Sequence, residues 1–324
     1  SRWIGVTVGD LNGDGRLDIV ATSWGRNTML HPEPLHPLVL TYGPFGANGG
    51  MEMLLAQDDK RLGGLAPLNG FPRVREAIPD VVTRVPSFAA YADATLPQVL
   101  GPWMKRAAQR SIVSLDNTVF LNRGDHFEAV PMPIEAQMAP AHAVLVADFD
   151  GDGHEDVFLG QNFSPTALGA PRYDAGRGLL LLGDGSGKLI PQPSALSGIE
   201  VYGDQRGAAF ADYDGDGRLD LVVSQNGAET KLYHNRGARP GLRVRLVGPQ
   251  SNPDAVGAQI RVLYGDHMGP VREVTAGGGF WSQNGATQVM GLAGTPTAVW
   301  VRWPGGAQTR TSVAAGTREI VIRH

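Results

Sequence analysis

The segment VGDLNGDGRLDIV, residues 8–20, decides how the rest of this sequence is interpreted. It returns as VADFDGDGHEDVF at residues 146–158 and as ADYDGDGRLDLV at residues 211–222. In each copy, apolar residues flank a polar centre that contains glycine, which predicts two short strands joined by a tight loop. Because self-similarity is the sign of a repeat architecture, the copies indicate a fold built from repeated strand pairs.

Other segments extend these strand pairs into larger units. Residues 118–127 and 178–189 each combine an apolar run with a glycine-containing turn, which predicts a β-hairpin. Two strands and a hairpin make a four-stranded blade, the unit of a β-propeller. The sequence therefore predicts an all-β fold, in which residues 1–236 form a partial β-propeller.

A weaker copy of the repeat lies at residues 42–54, where only Asn48, Gly49 and Glu52 keep the pattern. With this copy included, the chain offers about four blade-like units. Most of the oxygen-bearing side chains are lost from it, so we expect no bound ion there.

The spacing changes to a helical one after the weaker copy. Over residues 71–109, apolar side chains recur at every third or fourth position, which predicts helix. Pro79, Pro86 and Pro97 should divide this segment into short helices. The simpler interpretation is a helical insertion packed on a propeller face. The alternative is a cap over a ligand, which only the length of the insertion favours.

The acidic copies stop before the last part of the chain. From residue 242 onward, short segments alternate apolar and polar residues, which indicates strands with one buried face. We interpret residues 241–324 as a separate, small β-sandwich-like domain.

The composition limits the class of protein. The 324 residues include 44 glycines and 23 prolines, too many for a helical bundle. Cysteine is absent, which excludes disulfides, thiolate metal sites and cysteine nucleophiles. The formal charge of −4 argues against a nucleic-acid partner, and no apolar run is long enough for a membrane span. The chain opens on a strand-like segment without a signal peptide, so we expect that an upstream piece was removed or not included.

The polar centres follow the spacing D-x-[DN]-x-D-G-x-x-D, with oxygen-bearing side chains at positions 1, 3, 5 and 9. This resembles the first half of an EF-hand loop, in which position 7 contributes a backbone carbonyl. We therefore predict metal ligands in all three loops, with the residue at position 7 acting through its carbonyl. They are Asp10, Asn12, Asp14, Arg16 and Asp18 in loop 1, Asp148, Asp150, Asp152, His154 and Asp156 in loop 2, and Asp212, Asp214, Asp216, Arg218 and Asp220 in loop 3.

Calcium suits these loops better than other ions. Carboxylates at this density repel one another unless a cation lies between them. Ca²⁺ accepts a flexible, all-oxygen shell, whereas zinc is disfavoured because no histidine or cysteine side chain takes a ligand position. The alternative is that the Asp-Gly pairs only form turns, but a turn needs fewer such residues. We expect about three Ca²⁺ ions, which would stiffen the blades in place of disulfides.

Bound calcium would also bear on location and charge. Such sites fill at extracellular or periplasmic calcium concentrations and fill poorly at cytosolic ones, which predicts a secreted protein. Three ions would add six positive charges and change the formal charge from −4 to about +2. The acidity of the chain therefore says little about its partners.

Two family resemblances follow from these residues. The acidic copies resemble the FG-GAP/VCBS repeats of integrin α-subunit propellers and of many secreted bacterial proteins, over roughly residues 1–60 and 110–236. The last part of the chain resembles the ASPIC/UnbV domain of the cartilage acidic protein family and its bacterial relatives. The segments that carry this second resemblance are GLRVRL at 241–246, VGA at 256–258, REV at 272–274, GGGFWSQ at 277–283 and VRWPGG at 301–306. One departure is Met290, where the family tends to have phenylalanine before Gly-Leu.

The resemblance implies a calcium-stabilised extracellular module for binding, adhesion or assembly, with a protein or glycan partner. Propellers of this family usually have about seven blades, more than this chain offers. We therefore expect that the chain is a fragment, or that a partner chain or a missing amino-terminal segment completes the propeller.

An enzymatic function has weaker support. None of the eight histidines forms an H-x-x-x-H or H-E-x-x-H pattern, and no G-x-S-x-G sequence occurs. The glycine-rich residues 277–280 are not followed by a helical pattern, so a close-packed turn is favoured over a phosphate loop. The alternative function is a propeller enzyme, of the carbohydrate lyase or cyclase type, with calcium as scaffold or Lewis acid.

Several residues outside the loops could face a propeller channel, where ligand sites often form. They are His142, Arg172, Tyr173, Asp174, Arg177, Tyr202, Asp204, Gln205 and Arg206. Surface loops are the simpler interpretation of these residues. Trp24, Trp103 and Trp281 could stack on sugars, although core packing is the favoured interpretation for tryptophan.

Overall fold

The computed structural model describes residues 1–46, 49–165, 171–278 and 280–324. Asn48 of the weaker copy lies outside the described residues. The chain divides into two compact units, residues 1–2 with 29–115 and residues 3–28 with 116–324.

The first part of the chain is made of short strands with few helices. In chain order the strands are β1 Gly5–Gly9, β2 Asp18–Thr22, β3 Leu38–Gly43, β4 Glu52–Asp59, β5 Gly64–Pro67, β6 Ala108–Ile112, β7 Thr118–Asn122, β8 Phe127–Pro131, β9 Ala141–Ala147, β10 Asp156–Gln161, β11 Leu179–Gly183, β12 Leu189–Pro191, β13 Asp204–Ala211, β14 Asp220–Asn226 and β15 Ala228–Tyr233. The α-helices are α1 Phe71–Ala77, α2 Phe88–Ala92, α3 Leu96–Leu100 and α4 Ser194–Ser197, and 3-10 turns span Pro79–Thr83, Gly101–Arg106 and Ile134–Gln137.

Each strong copy of the repeat lies in an antiparallel sheet of its own. The strand orders are β1-β2-β7-β8, β9-β10-β11-β12 and β13-β14-β15. Apart from the insertion between β2 and β7, each strand pairs with the strand that comes next in the sequence. This is the meander of a propeller blade. The predicted all-β fold with a partial β-propeller is confirmed.

The second blade is buried on both of its faces because successive side chains of a strand point in opposite directions. In β9, Val144 and Val146 belong to the core shared with the first blade. Ala143, Leu145 and Ala147 belong to the core shared with the third. This explains why the β9 sequence is almost continuously apolar.

The unit formed by residues 29–115 interrupts the first blade between β2 and β7 in the sequence. Its sheet has the order β5-β4-β3-β6, in which the last strand pairs with the first, so it is not a blade meander. The weaker copy lies between β3 and β4 of this sheet. The prediction of a fourth blade-like unit is therefore wrong, because that segment pairs with strands of the insertion itself.

Short helices lie between β5 and β6 of this sheet in the chain, as the proline spacing predicts. Helix α1 ends at Ala77 just before Pro79, and α2 begins after Pro86, whereas Pro97 lies in the first turn of α3, where proline is tolerated. Ile78, Val81 and Leu96 are fully buried in a core with side chains of the sheet. The insertion is therefore longer than the helical segment over residues 71–109, since it includes four strands and a core.

The last part of the chain forms two sheets around one core. Its strands are β16 Leu242–Val247, β17 Gln259–Tyr264, β18 His267–Met268, β19 Arg272–Glu273, β20 Gln288–Met290, β21 Ala298–Arg302, β22 Gln308–Ser312 and β23 Glu319–Arg323. One sheet has the order β20-β16-β23 and the other β18-β17-β21-β22, with β19 also paired to β17. Val244, Val262 and Trp303 are buried in their shared core, as expected for a sandwich-like fold. The domain boundary between residues 236 and 241 stays a prediction.

This carboxy-terminal region and the three blades belong to one compact unit. Arg272 donates to Glu155 of loop 2 through Nε at 3.0 Å and Nη2 at 2.7 Å, and both side chains are more than nine-tenths buried. Residues between the two regions also bind the loops, since the Arg239 N–H donates to the Asp150 carbonyl at 3.0 Å. The described residues contain no helix that is long and apolar enough to cross a membrane.

The buried pair predicts a strong effect of removing one partner. Arg272→Met leaves the Glu155 charge buried without its counter-ion, and we expect a loss of about 3–5 kcal/mol in the free energy of unfolding. Urea denaturation would measure this loss. The double variant with Glu155→Met should recover much of it, and the exposed Arg302→Met serves as control. An equal stability of Arg272→Met and Arg302→Met would contradict the prediction.

Candidate metal centre

The first aspartate of each repeated loop lies at the end of the blade's first strand and holds the loop in shape. The Gly15 N–H donates to Asp10 Oδ2 at 2.9 Å, and the Gly153 N–H donates to Asp148 Oδ2 at 2.7 Å. Asp212 accepts the matching bond, at 2.9 Å from the N–H of Gly217. Each of these glycines has a positive φ, a conformation that side-chain-bearing residues rarely adopt. The glycine at position 6 is therefore required by the turn.

The oxygens at positions 3 and 5 accept hydrogen bonds from the backbone two residues further along the chain. In loop 2, Asp150 Oδ1 accepts from the Asp152 N–H at 3.1 Å, and Asp152 Oδ1 accepts from the His154 N–H at 2.8 Å. Loop 3 repeats both bonds with Asp214 and Asp216. Carboxylate oxygens of Asp148, Asp150 and Asp156 lie within 4.8 Å of one another, as do those of Asp212, Asp214 and Asp220. Loops 2 and 3 therefore gather the carboxylates that a cation needs.

The aspartate at position 9 joins the loop to the blade's third strand. Asp18 accepts from the Leu11 N–H at 2.9 Å and from the Asn122 N–H at 2.7 Å. Asp156 and Asp220 make the same pair of bonds in their own blades. The ligand role of the ninth position, predicted from its spacing alone, stays a prediction, and the structure shows that this aspartate joins the loop to the third strand.

Burial makes the charged form of these carboxylates costly. Desolvation, with the neighbouring Glu155 charge, raises the pKa of Asp148 to about 7. Desolvation also raises the pKa of Asp156 to about 9, although the Gly183 N–H favours the charged form. In loop 1, burial raises the pKa of Asp10 and of Asp18. A cation bound among these groups would offset the cost of ionising them.

Loop 1 offers one acceptor that nothing in the described chain uses. Asp10 is 1% exposed, and its Oδ1 atom has no hydrogen-bond partner among the described residues. A buried carboxylate oxygen without a partner is unfavourable unless an ion or water contacts it. The donor set at all three loops, carboxylate and amide oxygens on a compact turn, thus fits a hard divalent cation.

The seventh residue of two loops also contacts the fifth through its side chain. Arg16 Nη2 lies 2.7 Å from Asp14 Oδ2, and Arg218 Nη1 lies 2.6 Å from Asp216 Oδ2. The role of Arg16, His154 and Arg218 as carbonyl ligands stays a prediction.

His234 is a residue of this site that the sequence interpretation missed. Its Nε2 lies 3.0 Å from Asp214 Oδ2 and 3.9 Å from Asp216 Oδ2. It directly precedes Asn235, whose N–H binds the ninth aspartate of loop 3. The corresponding residues in the first two blades are Leu121 and Leu182, so an alignment of the three blades would have singled out the histidine.

The carboxy-terminal region reaches the first aspartate of every loop. The Val271 N–H donates to Asp10 Oδ2 at 2.9 Å, and Arg243 Nη1 donates to Asp212 Oδ2. At loop 2, Gly291 packs so closely that a methyl group on its Cα would overlap Asp148 Oδ2. The three loops are thus the surface on which this region rests.

Other predicted residues come together at the opposite ends of the strands. Arg206 Nη2 donates to Asp204 Oδ2 at 2.8 Å, and its Nη1 lies 2.8 Å from His142 Nδ1. Tyr173 packs edge-on against Trp24 at a centroid distance of 5.0 Å. Gln205 is buried and donates to the Val201 carbonyl.

The remaining candidates are more peripheral. Arg172 pairs with Asp174 at 3.8 Å, and the Arg177 guanidinium lies 5.3 Å from the Tyr202 ring centroid. Among the described residues, no hydrogen bond or ion pair joins these four side chains to His142 or Arg206.

The three tryptophans that could stack on sugars differ in how far their side chains are exposed. Trp24 is nearly buried, and Trp103 packs against the core of the insertion, so core packing explains both. Trp281 is 94% exposed, and core packing does not explain it.

Comparisons with known proteins give two family matches. The family model for ASPIC and UnbV matches residues 248–324, and the model for an FG-GAP-like repeat matches residues 167–223. Cartilage acidic protein 1 from Homo sapiens is 25% identical over 207 residues, and the protein of that name from Mus musculus is 27% identical over 203 residues. Each match covers 60% of this chain but only 30% of the relative's length. Two segments of the chain thus match an FG-GAP-like repeat and an ASPIC/UnbV domain, and the chain shows distant similarity to cartilage acidic protein 1.

The cluster around His142 predicts a pH dependence of stability. Burial, together with the Arg206 charge, lowers the pKa of His142 from 6.5 to about 4. The unfolded chain therefore binds a proton between these values that the folded chain does not, and stability falls as pH decreases from 6.5 to 4. We expect His142→Gln to flatten this part of the melting-temperature profile, measured in saturating calcium. An unchanged slope in the variant would contradict the prediction.

Proposed function

We propose that this chain is a calcium-stabilised extracellular module for binding or assembly, with one Ca²⁺ ion in each repeated loop. The observation that carries the proposal is the first aspartate of each loop. It is shared by the loop backbone and the carboxy-terminal region, and in loop 1 it has a buried oxygen without a partner. An ion bound to this aspartate would fix the conformation of the loop and of the surface on which the carboxy-terminal region packs.

Calcium is the ion that this donor set favours. All predicted side-chain ligands are carboxylates or, at Asn12, an amide, and Ca²⁺ takes six to eight such oxygens in flexible geometry. His234 adds one nitrogen close to loop 3, but loops 1 and 2 have leucine at that place. The proposed ligands are those predicted from the sequence.

A secreted location and a protein or glycan partner follow as parts of the proposal. Calcium loops of this kind fill outside the cytosol, and the relatives' name refers to cartilage. Val6 of the first blade and Leu232 of the third are each 60% exposed, which supports a further neighbour at these blades. Such a neighbour could be another segment or a partner chain that completes the propeller.

The alternative, a propeller enzyme with calcium as Lewis acid, has less support. Lewis-acid catalysis needs a coordination position that substrate can reach. The carboxy-terminal region packs on the first aspartate of every loop, which favours a structural role for the ions. A structure with bound calcium and the coordination of each ion would decide between the two.

Calcium removal is the direct test of the proposal. We expect chelation by EGTA to lower the melting temperature, because each site stabilises the folded state by about 2.7 kcal/mol when free calcium is about 100 times its Kd. Calorimetry with EGTA, Ca²⁺ and Mg²⁺ would measure this. Asp150→Ala and Asp214→Ala should each reduce the calcium-dependent shift. Asp184→Ala, in a glycine-rich turn outside the loops, should leave it unchanged. A melting temperature that is insensitive to calcium would refute the proposal.

The close approach of Gly291 allows a second test. Gly291→Ala places a methyl group against Asp148 Oδ2, and we expect destabilisation by about 1–3 kcal/mol and weaker calcium binding at loop 2. Gly294→Ala is a matched control, because the nearest atom to its added Cβ is Tyr264 Cδ1 at 3.8 Å. Calcium titration by calorimetry would compare the variants. Equal calcium affinity of both variants would show that Asp148 is not a ligand.

A further inference from the structure

A chain of aromatic rings lies at the strand ends away from the metal loops. Trp24 follows β2 and His142 is the second residue of β9, whereas loop 1 precedes β2 and loop 2 follows β9. Ring centroids are 5.3 Å apart for Trp24 and Phe163, 5.8 Å for Phe163 and His142, and 5.5 Å for His142 and Phe280. Phe280 in turn lies 6.2 Å from Trp281. Two blades and the carboxy-terminal region thus supply one connected row of rings, in which Trp24 is nearly buried and Trp281 is exposed.

The third blade adds a polar centre beside these rings. Arg206 lies with its guanidinium carbon 5.1 Å from the Phe163 centroid and is held between Asp204 and His142. Asp204 is 6% exposed, and its Oδ1 has no hydrogen-bond partner among the described residues. A buried carboxylate oxygen of this kind is costly unless a donor reaches it. Asp204 therefore keeps one acceptor that no described residue uses.

The segments that carry these rings contain two of the three non-glycine residues with positive φ in the described structure, although Asn162 is buried. They are Trp281, with φ of 52°, and Asn162, with φ of 85°. Asn162 donates to the Gly176 carbonyl at 2.9 Å and accepts from the Gly176 N–H at 2.8 Å, so its strained backbone is held in place. Strained residues are retained mainly at functional sites. At Trp281, the strained backbone presents an indole ring that is 94% exposed.

From this arrangement we propose that the surface binds a saccharide, with a sugar ring stacked on Trp281 and sugar hydroxyls bonded to the Asp204–Arg206 pair. The segment that carries Trp281 lies against the residue after Arg206, since a Cβ on Gly207 would come within 3.2 Å of the Phe280 carbonyl oxygen. The exposed indole offers a flat apolar face for a sugar ring, and the carboxylate and guanidinium offer hydrogen-bond partners for its hydroxyls. Two cavities, of 520 Å³ next to His234 and of 400 Å³ next to Met132, are lined by neither Trp281 nor Arg206.

This proposal rests on the proposed function, because it names the ligand class of that module. Saccharide binding depends on calcium only because calcium keeps the blades folded. The sugar could be neutral or acidic. Arg206 is paired with Asp204, which favours a neutral chain, whereas Arg177, whose guanidinium lies 5.3 Å from the Tyr202 ring centroid, would favour a carboxylated one. Neutral and acidic saccharides differ in charge, but both would stack a sugar ring on Trp281.

Isothermal titration calorimetry in saturating calcium tests the proposal, with cellohexaose and chitohexaose as neutral probes and hexagalacturonate as the acidic probe. We expect at least one probe to bind at millimolar concentration or below. Trp281→Ala should weaken that binding about tenfold or more. Arg206→Gln should weaken it as well, more for the acidic probe than for a neutral one. Phe127→Ala removes an exposed ring at the metal-loop end of the first blade and serves as control.

Two results would overturn the proposal. One is the absence of binding to all three probes by a wild-type chain that still shows its calcium-dependent melting shift. The other is equal affinity of Trp281→Ala and wild type. Loss of the melting shift itself would count against the calcium proposal instead, so the two failures are distinguishable.

Discussion

The structure depends on one carboxylate in each blade, that of the first aspartate in the repeated loop. Its oxygens accept loop N–H groups, so the turn between the first two strands closes around it. The same group is contacted by the carboxy-terminal region, through the Val271 N–H at Asp10 and the Arg243 side chain at Asp212. A cation at this carboxylate would therefore act on loop shape and on domain packing together, since both use the same oxygens.

In the three blades, two groups of functional residues lie at opposite ends of the strands. At one end of these strands, the carboxylates lie together in loops that the carboxy-terminal region covers. At the other end, Arg206, His142 and a row of rings remain partly exposed. The loops at the covered end and the partly exposed residues at the opposite end thus belong to the same strands, which is the arrangement expected if the loops serve as scaffold for the proposed binding surface.

Much of the metal centre could be predicted from sequence because its geometry is local. Oxygen-bearing side chains at fixed offsets and a glycine at position 6 describe a turn of nine residues, and the structure folds the three strong copies in this way. The weaker copy was misleading because its flanking strands, β3 and β4, pair within a different sheet. His234 was missed because it lies 20 residues from Asp214 in sequence, and only the pairing of β14 with β15 brings it to the loop.

The sequence by itself determined the repeat, the all-β class, the loop ligands proposed for calcium and the carboxy-terminal family resemblance. These properties depend on residue types at short spacings, which backbone geometry converts directly into turns and strands. Tertiary structure alone decided that the carboxy-terminal region rests on all three loops, that Arg272 and Glu155 form a buried pair, and that Trp281 is exposed while Trp24 is not. Each of these is a contact, or the lack of one, between segments far apart in the chain, and spacing along the sequence carries no information about it.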